Sequence, residues 1–136
     1  RANMRINAND WHFNCNLGVD FSWSVFGTPL PEFNINEGDQ LFYVPVENVI
    51  AGFTAAYRQW SGYYNHHWFG PSPGINEDVE AANVGSGGLN YNFTHTKIKW
   101  TLYLQADNIW NVPYRIIERR PMPGRSFTGG VRFVFS

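Results

Sequence analysis

His66 and His67 are the most metal-like pair in the chain, yet adjacent residues of an extended segment point to opposite faces and cannot grip one ion together. The acidic stretch Asn34-Ile-Asn-Glu-Gly-Asp39 has the composition of a calcium loop but lacks the spacing to a bidentate acid. Gly85-Ser-Gly-Gly88 reads as a flexible loop end rather than a phosphate cradle, because no helix follows it. Asn92-Phe-Thr94 matches a glycosylation sequon by chance frequency. Asp20 and Asp107 lie on separate segments, and nothing pairs them for acid–base work. The single Cys15 falls on an apolar stripe, where it reads as a small hydrophobe and has no partner for an internal disulfide. These residues point to no catalytic group, no metal site and no cofactor.

Charge is more informative by position than by total. Ten basic against eleven acidic residues leave a net charge of −1, which gives no electrostatic footprint for nucleic acid. Between Gly27 and Asn48, and again between Gly70 and Gly87, there are acidic residues but no Lys or Arg. A later stretch holds Arg115, Arg119, Arg120 and Arg125 with only Glu118. As solvated loops these are unremarkable; as the rim of a larger structure they set an acidic margin beside a basic one suited to lipopolysaccharide phosphates or an anionic ligand. Three aromatics at expected rims, Trp68, Phe69 and Tyr114, are the candidate ligand contacts, with the alternative that they only belong to a membrane-interface girdle.

The elements that must carry these residues are strands. From Trp11 to Val25 apolar and polar residues alternate, with Trp11, Phe13, Cys15, Leu17, Val19, Phe21, Trp23 and Val25 on one face. Such a strand would run roughly 50 Å at about 3.3 Å per residue, where soluble strands stop after about 5 to 6 residues and a bilayer needs about 9 to 11. Six strands are expected: Trp11–Val25, Val49–Tyr57, Gly62–Phe69, Gly88–Phe93, Lys97–Trp110 and Ser126–Phe135. All eight prolines fall in three windows, which predicts three long loops separated by short turns near Arg58–Ser61 and Thr94–Thr96. Long loops at one end and short turns at the other is the outer-membrane pattern, loops outside the cell and C-terminus in the periplasm. A hydropathy-negative chain that is 18% aromatic and has no long apolar run fits it.

One stretch carries a specific resemblance. Leu102-Tyr-Leu-Gln-Ala-Asp-Asn-Ile-Trp-Asn-Val-Pro-Tyr114 resembles the penultimate strand of TonB-dependent outer-membrane receptors, through Asn108, Ile109, Trp110, Asn111 and Tyr114. Arg120-Pro-Met-Pro-Gly-Arg125 is similar to the turn that enters the family's final strand, and Phe127 to Phe135 to that strand itself. Upstream, Phe21-Ser-Trp23, Gly38-Asp-Gln-Leu-Phe-Tyr-Val-Pro45 and Tyr57 resemble an earlier strand–loop–strand passage more weakly. The chain departs from the family pattern in having about six strands where the family has roughly 22, and in ending on Ser136 after Phe135.

The resemblance implies an all-β fold: about six C-terminal strands of a larger transmembrane antiparallel β-barrel in the bacterial outer membrane. It implies a non-enzymatic part in importing a bulky, scarce nutrient such as a metal chelate, cobalamin or an oligosaccharide. The implied partners are the remaining barrel strands and plug, outer-membrane lipid and lipopolysaccharide, the TonB energy-transducing complex through the N-terminal part, and the outer-membrane assembly machinery. Phe127, Val131, Phe133 and Phe135 are the implied assembly signal. Two rival readings stay open: a soluble carbohydrate-binding β-sandwich, and an outer-membrane adhesin or enzyme barrel.

Overall fold

A computed structural model describes residues 1–135. Its nine strands are β1 (Ala2–Ala8), β2 (Trp11–Phe21), β3 (Glu47–Tyr57), β4 (Trp60–Phe69), β5 (Ala82–His95), β6 (Ile98–Asp107), β7 (Arg115–Ile117), β8 (Arg120–Pro121) and β9 (Ser126–Phe135). Seven of them form one antiparallel sheet in the order β1-β2-β3-β4-β5-β6-β9, and β7 and β8 make a small separate hairpin. Consecutive sheet strands are thus spatial neighbours throughout, the simplest up-and-down meander.

Two kinds of connection alternate. Asn9-Asp10, Arg58-Gln59 and Thr96-Lys97 turn the chain in two residues at one end of the sheet. Asn9, Arg58 and Thr96 each take a positive φ, between 51° and 57°, as tight hairpins of primed type demand. The segments 22–46, 70–81 and 108–125 join the strands at the opposite end. Both edge strands, β1 and β9, run toward the short-turn end, and each has only one sheet neighbour among the described residues.

The ladder register sorts most side chains by polarity; the exceptions toward the long-loop end are Ile50, Phe69 and Val84 on the polar face and His66 and Asn83 on the apolar one. Phe13, Ala55, Gly62, Leu89 and Leu104 form one row across the sheet, and Trp11, Tyr57, Trp60, Tyr91 and Leu102 the next, so one face is apolar from β2 to β6. Its opposite carries Asn14, Thr54 and Tyr63 in one row and Ser61, Asn90 and Tyr103 in another. At the short-turn end the apolar face gathers stacked or tilted rings: Trp11 on Tyr57 at 4.5 Å, Trp60 on Tyr91 at 4.7 Å, and Trp100 on Phe133 at 5.5 Å.

Among the described residues neither face is covered by a second sheet or a helix; only loop segments lie over the long-loop end. The buried hydrophobic residues are Ile35, Val79 and Ala82, all in or beside the long loops, while Phe21, Phe127 and Phe135 are 67–74% exposed. The accessible surface is 9810 Å² for 15.6 kDa, against roughly 7,300 Å² for a compact monomer of that mass. A single layer without a core explains the excess.

Four sequence expectations are corrected. The first strand ends at Phe21 rather than Val25: beyond it the chain pairs with the returning arm of its own loop, the Ser22 amide donating to the Val46 carbonyl at 2.7 Å and the Leu41 amide to the Ser24 carbonyl at 2.7 Å. Pro45, which has no N–H, helps end the β3 ladder there. A seventh sheet strand, β1, was not anticipated. Gly85-Ser-Gly-Gly88 lies inside β5, which starts at Ala82, and is not a loop end. The fifth expected strand stops at Asp107, because Asn108 turns left-handed with φ 47°. Ser136 lies outside the described residues.

Candidate functional site

At the long-loop end, on the polar face, the third long connection folds back over β3–β6 and β9. Together they enclose a cleft of about 500 Å³ floored by Asn65, Phe69, Ser86 and Asp107 and roofed by Tyr114 and Met122. Phe69 and Tyr114 stack with ring centroids 6.2 Å apart and an interplanar angle of 15°. His67 packs against Phe69 at 3.7 Å, and its Nε2 is buried without a hydrogen-bond partner among the described residues. The cleft thus has an aromatic wall and uncharged hydrogen-bonding groups, with Asp107 its carboxylate.

The roof is held by the two motifs singled out in the sequence. Asn108 is 4% exposed; its Nδ2 donates to the Val112 carbonyl at 2.9 Å and the Pro123 carbonyl at 3.3 Å, and its Oδ1 accepts the Val112 amide at 3.0 Å. Asn111, also left-handed at φ 53°, accepts the Arg125 amide at 3.0 Å. The Asn108–Asn111 turn therefore clamps the Pro-Gly-Arg turn, so that the loop leaves and re-enters the sheet at one place.

A second clasp ties this loop to its neighbour. The half-way residue Glu118 is buried, and its carboxylate accepts the Asn76 amide at 2.9 Å, the Asn76 side-chain amide, and the Glu77 amide at 3.3 Å. These bonds, those of Asn76 foremost, outweigh the opposing effect of burial and lower its pKa to about 2. Arg115 adds an ion pair to Glu77 at 2.8 Å, joining the basic loop to the acidic one. The Tyr43 amide donates to the Pro73 carbonyl at 2.8 Å, which brings in the first loop as well. All three long connections are thus linked.

Of the three candidate ligand contacts, Phe69 and Tyr114 meet in the cleft wall. Trp68 does not join them: it pairs in register with Val49 and Asn83 on the apolar face. His66 and His67 likewise separate. His66 belongs to a chain of bonds on the apolar face in which Trp110 Nε1–H donates to Tyr64 Oη at 3.2 Å, Tyr64 Oη meets His66 Nδ1 at 3.0 Å, and His66 Nε2 meets Asn83 Oδ1 at 3.1 Å.

Trp110 reaches this position because Gly85 lies beneath it; a Cβ there would sit 2.6 Å from Trp110 Nε1. The glycines of β5 were the sequence signal for this packing, since glycine inside a strand marks a place where another group approaches closely. Met122 and His67 were not singled out as cleft residues, because the fold-back that brings loop and strand together has no local signature.

Phe127, Val131, Phe133 and Phe135 all stand on the apolar face, opposite Ala106, Leu102, Trp100 and Ile98. Asp20 is 3.7 Å from Arg1 and Asp107 bonds Gln105, with three strands between β2 and β6. Among the described residues no three His, Cys, Asp or Glu groups converge on a metal position. Comparison with known families and with curated proteins finds no match to this chain.

Proposed function

We propose that this chain is wall and rim of an outer-membrane β-barrel, the C-terminal part of a TonB-dependent receptor that imports a bulky nutrient. The observation that carries the reading is the coreless sheet, mainly apolar on one face and mainly polar on the other, with no second sheet or helix over either among the described residues. Lipid would cover the first face and a water-filled lumen would wet the second. At about 3.3 Å per residue β2 is about 36 Å long, and at a tilt of about 45° it crosses about 25 Å, the height of a barrel's apolar band.

Further support comes from the aromatic row at the short-turn end, which suits the inner interface, and from the three interlinked loops at the other end, which suit the outer one. The clamp between Asn108–Asn111 and Pro123–Arg125 gives the residues that carry the family resemblance a common structural role. In this reading the segment is passive: it holds substrate at the mouth through the cleft, while the TonB complex acts on the plug. The open edges of β1 and β9 are then completed by the rest of the barrel, since unpaired strand edges in lipid cost several kcal/mol per group.

The test is expression of the full-length protein in a bacterium with an outer membrane. Recovery in the outer-membrane fraction, heat-modifiable mobility in detergent gels, and cleavage of segments 70–81 and 108–125 by protease on whole cells are expected. A detergent-free, cooperatively unfolding monomer of this chain would refute the reading and favour the soluble sandwich.

A further inference from the structure

Two tyrosines on the polar face lie across glycines. Tyr63 pairs with Gly88 and Tyr103 with Gly130. A Cβ on Gly88 would sit 2.6 Å from Tyr63 Cε1 and 3.0 Å from its Cζ; one on Gly130 would sit 2.5 Å from Tyr103 Oη and 2.7 Å from its Cζ. Each ring therefore leans over the neighbouring strand instead of standing upright, and offers a flat surface at mid-height of the sheet. Glycine at these two positions is what permits it.

The ladder neighbours of these rings are small or carry uncharged hydrogen-bonding groups. Gln105 is the ladder partner of Gly88, Asn90 that of Tyr103, and Asn65 follows Tyr63 on the same side of β4. Amides both donate and accept, as do the hydroxyls of a sugar. Of the cations on this part of the face, Lys99 lies toward the short-turn end and Arg132 lies two residues beyond Gly130 on the same side of β9. An anionic chelate would call for several guanidinium or ammonium groups along the wall; no Lys or Arg is a ladder partner of Tyr63, of Tyr103 or of the glycines they cover, and Arg132 is the one guanidinium next to Gly130. A pyranose has an apolar C–H face that packs on an aromatic ring and a rim of hydroxyls that amides satisfy, the same mixture of apolar surface and a few placed polar groups that binding sites use.

We propose that the polar face carries a track for a neutral oligosaccharide, entered at the Phe69–Tyr114 wall and continued over Tyr63 and Tyr103. This rests on the reading that the polar face lines a lumen, and it selects among the cargo classes that reading allows.

The experiment uses the full-length protein in detergent, first checked for heat-modifiable mobility; loss of that property would count against the barrel reading itself. The folded protein is then applied to an array of neutral plant, fungal and bacterial glycans, and the best binder is titrated by calorimetry. Saturable binding is expected, weakened about three- to tenfold by either Tyr63→Ala or Tyr103→Ala and retained in Tyr63→Phe and Tyr103→Phe, which keep the ring. Folded protein that retains no neutral glycan while binding ferric citrate or haem would overturn the proposal. So would glycan binding that the two alanine variants leave unchanged.

Discussion

The backbone amide of Arg125 donates to the side-chain oxygen of Asn111 across 14 positions of sequence, at 3.0 Å. Asn108, one turn earlier, does the same service for Pro123 with its amide nitrogen. The loop between them, which roofs the cleft with Tyr114 and Met122, is therefore closed at its neck by two asparagines in left-handed conformation. Asparagine suits both demands, tolerating that backbone and supplying the bonds.

Replacing Asn108 by alanine removes three hydrogen bonds and leaves a Cβ residue in the left-handed region. A loss of about 2 to 4 kcal/mol is expected, read as a lower urea midpoint of the detergent-folded protein. Asn108→Gly, which keeps the backbone conformation, should lose less. Equal losses in the two variants would show that the conformation contributes nothing.

Leu17 stands on the apolar face near the middle of β2, and its neighbour Asn16 on the polar face opposite Gly52. If the proposed barrel forms, Leu17→Arg should destabilise it by about 2 to 4 kcal/mol and Asn16→Arg by much less. Refolding titrations into lipid vesicles measure the difference, and equal tolerance at both positions would remove the lipid-facing assignment.

Glu118 supplies a pH dependence with a definite sign. Its folded-state pKa is lowered from 4.5 to about 2, so its carboxylate favours the clasped loops fully above about pH 4.5, and that contribution is lost as pH falls toward 2. Protection of the Asn76 and Glu77 amides against hydrogen exchange, corrected for intrinsic rate, should stay level between pH 8 and about 5 and fall below it. In Glu118→Ala the protection should be low at every pH. A fall between pH 8 and 6 would point to another group.

Phe135 closes the apolar row of β9, in contact with Phe133 at 5.9 Å. Recognition by strand pairing depends on a fixed register of outward side chains. Deleting Phe135 and Ser136 from the full-length protein should abolish membrane insertion, whereas deleting Ser136 alone should be mild. Antibody access to segment 108–125 on whole cells reads both; normal display without Phe135 would reduce these residues to lipid packing.

How far the sequence foretold this architecture varied with the strength of the local pattern. The alternation in β2, β6 and β9 is rich in Trp, Phe and Leu, and those strands stand out at once. In β1 the same alternation runs through Ala2, Met4, Ile6 and Ala8 against Asn3, Arg5 and Asn7, but two alanines give it too little hydrophobic contrast. The start of β5 was hidden by glycines that act as seats for Trp110 and Tyr63, a purpose that only the neighbouring strands reveal. Phe69 and Tyr114 were within reach as rim aromatics, yet separating Trp68 from them needed the register. The Glu118 clasp joins residues about 40 positions apart and leaves no local trace.

The two free edges of the sheet run in the same direction. If β1 and β9 were zipped directly together, or if two copies of the sheet were joined rim to rim into a ring about a common axis, the seams would be parallel. A cylinder that stays antiparallel all the way round must therefore insert an odd number of strands between β9 and β1. Seven plus any odd number is even, which is the parity that single-chain bacterial barrels keep. The parity of any arc that would close such a cylinder is thus set by the shared direction of the two edge strands.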